Sequence, residues 1–420
     1  MKLLAFILLF LFSTFSSIAQ DTMYAKEVIA KLCSDGFQGR GYVKNGHKKA
    51  ASYIKKQFKS IGLRPVENTY LQTFPIPVNT FPKTVEVRYN GKLLTAGVDY
   101  IINPSSPSID FEGDIVFMPI IELDQETHYD KMGYTKSEAI LDTFSAKDHE
   151  EAAINEKQYL SDPKKKLVIR LSNGKLTWSS SQKVDKACII TLKDEVFDRS
   201  KNANFEVHIK NKFLSKNVSQ NVIGMIKGSK VSDSFIVITG HYDHLGKMGK
   251  TAIFPGANDN ASGISMLLNL AKYYIKNPPK YSILFIAFSG EETGLIGSKY
   301  FVEHPLVSLA DIRFLVNIDL MGNGEEGVMV VNGLVNPQEY VVFKDINDKK
   351  SYLPQVKVRG KAANSDHFWF GQAGVPAFFF YLMGEYPYYH DVFDTADAVP
   401  LYNYSEAFQL FRDFIDAMQK

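Results

Sequence analysis

The distribution of apolar residues predicts buried strands that alternate with helices in the second half of the chain. Mainly apolar runs occupy residues 235–240, 282–290, 314–318 and 376–382. Runs of this kind, without polar alternation, are typical of strands buried on both faces of a mostly parallel sheet. Between the first two runs, residues 263–274 carry apolar positions at helical spacing. The pattern therefore predicts an α/β fold with a mostly parallel central sheet flanked by helices.

The first half of the chain has a different pattern of apolar residues. An amphipathic helix is predicted over residues 48–63, where Gly62 and Pro65 would stop it. Short strand-like runs follow at residues 85–89, 114–118, 166–170 and 187–191, and the charged stretch 122–163 is helix-like. We therefore predict that residues 75–212 form a smaller β-rich domain, inserted between residues 21–74 and 213–420 of one larger domain.

The N-terminus predicts export. Residues 1–20 combine a positive charge at Lys2, an apolar run and small residues near the end, as secretory signal peptides do. The mature chain would begin near Gln20 or Asp21 and reach the periplasm or the extracellular space. An uncleaved anchor is the alternative, although the run is short for a membrane span. No later segment predicts a transmembrane helix.

Charge and cysteine content narrow the function classes. Lys plus Arg number 48 against 46 for Asp plus Glu, which gives no reason to expect nucleic acid or an anionic membrane as a partner. Of the two cysteines, Cys188 lies in an apolar run. We therefore expect Cys188 and Cys33 to be unpaired, with Cys188 acting as a small buried hydrophobe.

Residue types that bind metals lie at or soon after the predicted strand ends. They are His241, Asp259, Glu291, Glu292, Asp319 and His390. Because the carboxyl ends of parallel strands meet at one edge of a sheet, we expect these side chains to converge there. Two imidazoles with several carboxylates predict a hydrolytic site that holds two metal ions.

Charge balance favours two divalent ions over one. Asp259 would bridge the ions, His241 and Asp319 would complete one ligand set, and Glu292 and His390 the other. Three carboxylates then face four positive charges, and a bridging hydroxide makes the cluster neutral. Mixed imidazole and carboxylate ligation suits Zn²⁺, although cobalt or manganese could take the same place.

Glu291 is the acid that metal binding leaves free. Consecutive side chains leave the backbone in different directions, so Glu292 can be a ligand while Glu291 faces the water between the ions. We assign Glu291 as the general base that carries a proton to the leaving amine. The predicted reaction is amide hydrolysis without a covalent intermediate.

Each of these residues has a simpler interpretation when it is taken alone. The Glu291-Glu292 pair could be a solvated helix start, Asp259 a residue near a helix N-cap, and either histidine an ordinary surface or core residue. Asp319 is harder to explain in this way, because an acid that ends an apolar strand is costly to bury unless it is paired or bound to a metal. All of these interpretations would have to hold together, which favours the metal site.

Six ordered sequence blocks carry a family resemblance. They are G-H-Y-D-H-L-G at 240–246, G-A-N-D-N-A-S-G at 256–263, S-G-E-E-T-G-L-I-G-S at 289–298, N-I-D-L-M-G at 317–322, S-D-H-x-x-F at 365–370 and Y-Y-H-D-V-F-D-T at 388–395. The chain resembles the secreted co-catalytic di-zinc aminopeptidases, a family that includes aminopeptidase Y and relatives of glutamate carboxypeptidase and glutaminyl cyclase. The resemblance covers most of residues 215–400. It implies a three-layer, phosphorylase/hydrolase-like zinc-exopeptidase fold, two Zn²⁺ ions and the same ligand sets and base as the charge argument.

The resemblance also implies roles for two further residues. Asp243 would be the carboxylate that orients the His241 imidazole, and its alternative is an ordinary loop acid. Tyr389 would donate to the oxyanion of the substrate, and its alternative is an aromatic packing residue. A cis peptide bond is implied between Asp259 and Asn260. Asp366 and Asp394 also match acids of the family, without a chemical step assigned to either, and His244 and His367 are interpreted as structural residues.

The sequence thus predicts a secreted exopeptidase that removes N-terminal residues from peptides. The insert at residues 75–212, which resembles a protease-associated domain, would limit access to the site. A carboxypeptidase or a glutaminyl-cyclase-like enzyme could use the same scaffold, but the cyclase branch works with one zinc and the ligand set here is complete. An inactive binding relative, such as the transferrin receptor, would be expected to have lost ligands.

Overall fold

A computed structural model of the chain describes residues 16–119, 138–142, 166–199 and 203–420. Its helices are α1 (Ser16–Cys33), α2 (Gly46–Ile61), α3 (Gly263–Lys276), α4 (Ile296–Glu303), α5 (Pro337–Lys350), α6 (His367–Gln372) and α7 (Tyr404–Met418). Most of the predicted signal peptide lies outside these residues and stays a prediction. No helix in the described ranges has the length and apolar character needed to cross a membrane.

The strands lie in one large sheet and several smaller ones. Before residue 200 they are β1 (Leu71–Pro75), β2 (Val78–Thr80), β3 (Val85–Tyr89), β4 (Lys92–Leu93), β5 (Tyr100–Ile102), β6 (Ile109–Asp114), β7 (Val116–Pro119), β8 (Glu138–Asp142), β9 (Leu167–Ser172) and β10 (Cys188–Lys193). After it they are β11 (Asn204–Ile209), β12 (Lys212–Leu214), β13 (Val218–Ile226), β14 (Val231–His241), β15 (Gly246–Met248), β16 (Ala252–Phe254), β17 (Tyr281–Phe288), β18 (Ile312–Ile318), β19 (Gly327–Val331), β20 (Val356–Val358) and β21 (Ala377–Met383).

The large sheet is mixed, with a parallel centre. Its order is β1-β13-β17-β14-β18-β21-β19-β20. The four central strands β17, β14, β18 and β21 run parallel to one another. On either side the neighbours pair antiparallel, β13 with β17 and β19 with β21. The mostly parallel sheet predicted from the apolar runs is therefore the centre of a mixed sheet.

Helices cover both faces of this sheet, as the continuous burial of its central strands requires. In β17, Ile283 and Phe285 lie in the apolar core that includes residues of α1, α2, α3, α5 and α7. The alternate side chain Leu284 lies on the opposite face, with Phe301 of α4 and Phe370 of α6. The α/β fold and its three layers are thus present.

The predicted helices and strands agree closely with the structure in the larger domain. The helix expected over residues 48–63 is α2, two residues earlier, and it ends at Gly62, where φ is +104° and the N–H bonds the carbonyls of Phe58 and Lys59. Glycine adopts this left-handed conformation without the steric cost that a Cβ brings, which makes it the commonest residue at this position. The helix expected from Gly263 is α3.

Residues 75–212 contain two sheets of their own. One has the order β4-β3-β11-β6 and the other β5-β10-β9-β8-β7, while β2 and β12 pair near the junction with the larger domain. Their apolar side chains form a separate core that also takes in Met248 and Phe254 from the hairpin β15–β16. The smaller β-rich unit expected from the sequence is visible in this arrangement, and its exact limits stay a prediction.

Two details of this region differ from the sequence-based predictions. The strand expected over residues 114–118 is divided at Ile115 between β6 and β7, which pair in different sheets. The helix-like stretch 122–163 contains the strand β8, whose main chain pairs on both sides, with β7 and β9. Sheet pairing on two sides overrides a local helical pattern. The rest of that stretch lies outside the described residues.

Both cysteines are free thiols. Cys188 is buried in β10, where burial raises its pKa to about 12.

Candidate metal centre

The parallel strands place the predicted ligands at one edge of the sheet. His241 is the last residue of β14, and Asp319 follows β18 directly. Glu291 and Glu292 come soon after the end of β17, and His390 lies in the loop that follows β21. The four strands involved are the parallel neighbours at the centre of the sheet. Their carboxyl ends therefore deliver these side chains to a single crevice.

Asp259 lies between the two histidines. Its Oδ1 is 3.3 Å from His241 Nε2, and its Oδ2 is 3.1 Å from His390 Nε2. His241 Nε2 is also 3.2 Å from Asp319 Oδ2, and His390 Nε2 is 3.1 Å from Glu292 Oε2. The structure thus brings all five predicted ligands together, in two groups that share Asp259.

The donor set fits divalent cations. In a tetrahedral zinc site with bonds of about 2.0–2.2 Å, donor atoms lie roughly 3.3–3.6 Å apart, close to the separations found here. Asp319 Oδ1 is buried and has no hydrogen-bond partner within the described part of the chain. An unpartnered buried carboxylate oxygen is costly, and a bound cation would remove that cost.

The pKa values of the imidazoles and carboxylates in the centre depend on one another. Burial alone would lower the pKa of His390, but the Glu292 and Asp259 carboxylates raise it to about 11. Burial alone would raise the pKa of Glu292, but His390 and His244 hold it at about 2. The carboxylates of the crevice therefore favour positive charge beside them.

Glu291 lies beside the ligand groups. Its Oε2 is 4.0 Å from His241 Nε2, whereas Glu292 has an imidazole nitrogen within 3.1 Å. Burial and the neighbouring carboxylates raise the pKa of Glu291 well above its usual value, against the opposing effect of His241. A carboxylate with a raised pKa accepts a proton readily, as a general base must.

The orienting contact expected from the Asp243 carboxylate is made instead by the main chain. His241 Nδ1 lies 3.1 Å from the main-chain carbonyl oxygen of Asp243. The Asp243 carboxylate accepts the main-chain N–H of Glu291 at 3.3 Å, and its other oxygen is buried without a partner among the described residues. The His241 ring thus contacts the main chain that follows β14, while the Asp243 carboxylate contacts the turn at Glu291. Burial raises the pKa of Asp243 to about 7.

Tyr389 lies on the solvent side of the centre. Its ring stacks on that of His390, with centroids 3.9 Å apart, and about half of the residue is exposed. Partial burial and the nearby carboxylates, including Asp259 and Glu292, raise the pKa of its hydroxyl. The hydroxyl is therefore protonated and able to donate at neutral pH. This position fits both the donor role and the packing role that the sequence left open.

His244 contributes more than its assignment as a structural residue suggested. Its Nδ1 is 2.6 Å from Glu292 Oε1 and 3.9 Å from Asp259 Oδ1. With Asp259 and Glu292 it forms a group that could hold a metal ion. The sequence places His244 in the same block as His241, and this is the signal that could have indicated a role in the site. The acid that His244 faces is known only from the fold.

The loop that carries Asp259 is held from two sides. The Asp394 carboxylate accepts the main-chain N–H groups of Asn258 and Asp259, at 2.8 and 3.1 Å, and the hydroxyl of Tyr386 at 2.7 Å. From the other side, the buried guanidinium of Arg40 donates to the carbonyl of Asp259 at 3.0 Å. Neither Asp394 nor Arg40 has a role that the sequence predicts. The peptide bond between Asp259 and Asn260 is cis, as the family resemblance implied.

Comparisons with known proteins agree with this geometry. The model of peptidase family M28 matches residues 221–415. Aminopeptidase YwaD of Bacillus subtilis is 33% identical over 178 residues, which are 40% of this chain and 37% of that protein. A probable zinc metalloprotease of Pyricularia oryzae is 35% identical over 105 residues, 24% of this chain and 21% of that one. The chain thus spans less than half the length of these curated relatives.

Solved structures share the whole fold. BSAP, a zinc aminopeptidase from Bacillus subtilis, matches with a TM-score of 0.71 at 21% identity, over 95% of both chains. A peptidase M28 precursor from Shewanella amazonensis matches with a TM-score of 0.68 at 16% identity, over 96% of this chain and 98% of that one. Both matches include the insert and establish the architecture. The match of the family model places a peptidase family M28 domain at residues 221–415, the segment that carries every candidate ligand.

Proposed function

We propose that the chain is a zinc-dependent metallo-exopeptidase that acts as an aminopeptidase on peptides. The single observation that carries the proposal is the position of Asp259, whose Oδ1 faces His241 and whose Oδ2 faces His390. A carboxylate that presents one oxygen to each of two ligand groups is suited to bridging two cations. Such paired ions are typical of hydrolases that cleave amide bonds.

The ligand assignment follows from the two groups. His241, Asp259 and Asp319 would hold one Zn²⁺, and Asp259, Glu292 and His390 the other. When bound, two such ions lower the pKa of a shared water and polarise the scissile carbonyl. The use of zinc is supported by the names of the zinc metalloprotease relatives and by the mixed imidazole and carboxylate donors.

Glu291 would act as the general base. Its carboxylate lies next to both ligand groups without belonging to the close contacts of either, and its pKa is raised by burial and neighbouring acids. It would take a proton from the attacking water and deliver it to the leaving amine. Asp243 accepts the main-chain N–H of Glu291 and so would hold the turn in place.

Tyr389 would donate its hydroxyl to the oxyanion that forms as the carbonyl is attacked. Its raised pKa keeps the proton on the hydroxyl, and its ring is held against His390. A preorganised donor of this kind stabilises developing negative charge. The insert would limit the length of substrate that can enter, since its residue Lys175 bonds the main chain of Tyr389 at the mouth of the crevice.

The relatives favour removal of N-terminal residues as the activity. YwaD, which has the longer matched segment of the two curated relatives described above, is named an aminopeptidase. We further propose that residues 1–20 direct export and that residues 75–212 are a protease-associated-like domain. Carboxypeptidase activity on the same scaffold is an outcome that the experiment below would detect.

The test is a panel of aminoacyl anilides, their N-acetylated counterparts and N-acylated peptides with a free C-terminus, with and without a chelator. The proposal expects cleavage of the free-amine substrates alone, lost with chelator and restored by Zn²⁺. Cleavage of acylated peptides from their C-terminus would make the enzyme a carboxypeptidase. Cleavage that survives removal of metal would overturn the two-ion assignment.

A further inference from the structure

The two ligand groups of the metal centre are supported by different parts of the chain. His241 and Asp319 are held within the M28 domain, by the Asp243 carbonyl and by the Ser365 hydroxyl at 3.3 Å from Asp319 Oδ2. Glu292, whose carboxylate also contacts His244, and His390 are held in addition from outside it, by residues 175–182 of the insert. This stretch is called the 175–182 segment below.

Trp178 binds His390 at two points. The Trp178 main-chain N–H donates to the His390 carbonyl at 3.2 Å, and the Trp178 carbonyl lies 2.9 Å from His390 Nδ1. A proton held on Nδ1 of a neutral imidazole leaves Nε2 free to act as a ligand, on the side of Asp259 and Glu292. The φ of His390 is +56°, a value that residues other than glycine rarely adopt. The paired contacts with Trp178 hold this unusual backbone in place.

Ser180 and Gln182 hold the turn that carries Glu292. Ser180 Oγ lies 2.9 Å from the Glu292 main-chain oxygen and 2.8 Å from Thr293 Oγ1. Gln182 Nε2 donates to the Thr293 carbonyl at 2.8 Å. These bonds constrain the main chain at Glu292 itself and at the next residue. The direction in which the Glu292 carboxylate leaves the backbone is thereby fixed.

The 175–182 segment is itself anchored in the insert. Trp178 Nε1 donates to the Ile102 carbonyl of the insert at 2.7 Å, and the Trp178 ring stacks, with centroids 4.6 Å apart, on Phe254 of the hairpin β15–β16, which belongs to the same apolar core. The Ser181 carbonyl accepts the main-chain N–H of Asn79 at 2.8 Å. A segment that is held rigidly in this way keeps the residues it contacts in a fixed position relative to the insert.

The insert also packs against the hairpin β15–β16, which lies between His241 and Asp259 in the sequence. Among the residues that the structure describes, however, no hydrogen bond joins the 175–182 segment to His241, Asp259 or Asp319. Within residues 213–420, the segment makes its hydrogen bonds with the Glu292 turn and with Tyr389 and His390. The support is therefore asymmetric.

We propose that the 175–182 segment is a positioning element for the metal ion bound by Glu292 and His390, and that the insert thereby sets the affinity of this ion and not that of its neighbour. The inference rests on the proposed two-ion function. In this account the insert does more than cover the crevice, because its contacts fix the geometry of one ligand pair. Groups that orient metal ligands in this way typically change metal affinity by about 10–100-fold.

The test measures zinc binding to the full-length protein by competition with a chelating indicator, so that the result is independent of turnover. Ser180→Ala removes the hydroxyl that contacts Glu292 and Thr293. We expect the affinity of one ion to fall by about tenfold or more, and that of the other to stay within twofold. Ser180→Thr keeps the hydroxyl and is expected to retain most of the affinity.

Ser181→Ala is the matched control, because among the described residues its hydroxyl bonds only to Lys183, within the insert. The same deletion at this adjacent position should leave both affinities unchanged. A second comparison uses the variant His390→Ala, which removes the metal site that the segment is proposed to support. Adding Ser180→Ala to it should not weaken the remaining ion further.

The outcomes separate the inference from the proposed function. If the wild-type protein binds two ions and Ser180→Ala behaves like Ser181→Ala, the positioning role is wrong and the two-ion site stands. Equal weakening of both ions, or further weakening in the His390→Ala background, would also overturn the asymmetric support. A wild-type protein that binds no zinc would overturn the two-ion function together with the inference.

Discussion

The guanidinium of Arg40 donates a hydrogen bond to the main-chain carbonyl of Asp259 at 3.0 Å, although 219 positions separate them in the sequence. Arg40 is fully buried and also donates to the carbonyls of Tyr242, Pro255 and Gly256. A single side chain near the N-terminus thus satisfies carbonyls on both loops that lead into the metal centre. The bridging carboxylate depends on a segment that contributes no ligand.

Replacing Arg40 should therefore damage both stability and metal binding. Arg40→Met leaves several buried carbonyls without a donor, and we expect the free energy of unfolding to fall by about 3–5 kcal/mol. Arg40→Lys keeps the charge with a different donor geometry and should lie between Arg40→Met and the wild type. Urea denaturation with zinc titration measures both effects. Arg359→Met, at an exposed position, is the control, and an Arg40→Met protein as stable as this control would contradict the account.

Substitution of each of the two adjacent glutamates should distinguish the general base from the metal ligand. Glu291→Gln removes the proposed base and should lower kcat by about 10²–10⁴-fold while both ions stay bound, because its carboxylate lies outside the close ligand contacts. Glu292→Gln should lose one ion, because this side chain contacts His390 and His244 directly. Activity and metal content are measured on the same preparations. Equal metal loss in the two variants would show that their roles are assigned wrongly.

Asp259→Ala should have a larger effect on metal content than any other single ligand change. Both of its carboxylate oxygens face an imidazole, so its loss removes a donor from each ligand group. We expect neither ion to bind stoichiometrically, whereas Asp319→Ala should affect chiefly the ion near His241. Elemental analysis after dialysis gives the ratio of zinc to protein. Two retained ions in Asp259→Ala would exclude the bridging role.

The stability of the metal-depleted protein should fall in mild acid because of His47. This residue is fully buried, and burial lowers its pKa from 6.5 to about 4. Between these values the unfolded chain binds a proton that the folded chain does not. The contribution is therefore fully present above pH 6.5 and is lost progressively as the pH falls toward 4, by about 3 kcal/mol.

The variant His47→Leu isolates this contribution. Its free energy of unfolding should change less between pH 7 and pH 4.5 than that of the wild type, whatever its absolute stability. His304→Leu, at an exposed position, is the control and should keep the wild-type slope. Metal is removed beforehand so that loss of bound ions in acid does not add to the slope, and the ligands then contribute equally in both proteins. Identical slopes in wild type and His47→Leu would exclude this source of acid sensitivity.

The sequence predicts the centre of the fold and the candidate ligands because both depend on local patterns. The apolar runs that end near His241 and Asp319 are long enough to identify buried strands, and the parallel arrangement of those strands places their ends together. The antiparallel outer strands, such as β13 and β19, are not distinguished by such runs, because the direction of a neighbour is a tertiary property.

The supporting contacts could not be predicted in the same way. The main-chain carbonyls of Asp243 and Trp178 face the ligand imidazoles, and a carbonyl carries no signal in the residue type. Arg40 and Asp394 reach the Asp259 loop from opposite ends of the chain. Their roles follow from the packing of the N-terminal segment and the His390 loop around that loop. Only the three-dimensional structure brings these groups together.

The most direct test of the central claim is anomalous diffraction at the zinc edge from crystals of the full-length protein. The account predicts two peaks roughly 3.5–4 Å apart, one between His241 and Asp319 and one between Glu292 and His390, with Asp259 between them. A single peak, or peaks away from Asp259, would contradict the two-ion centre.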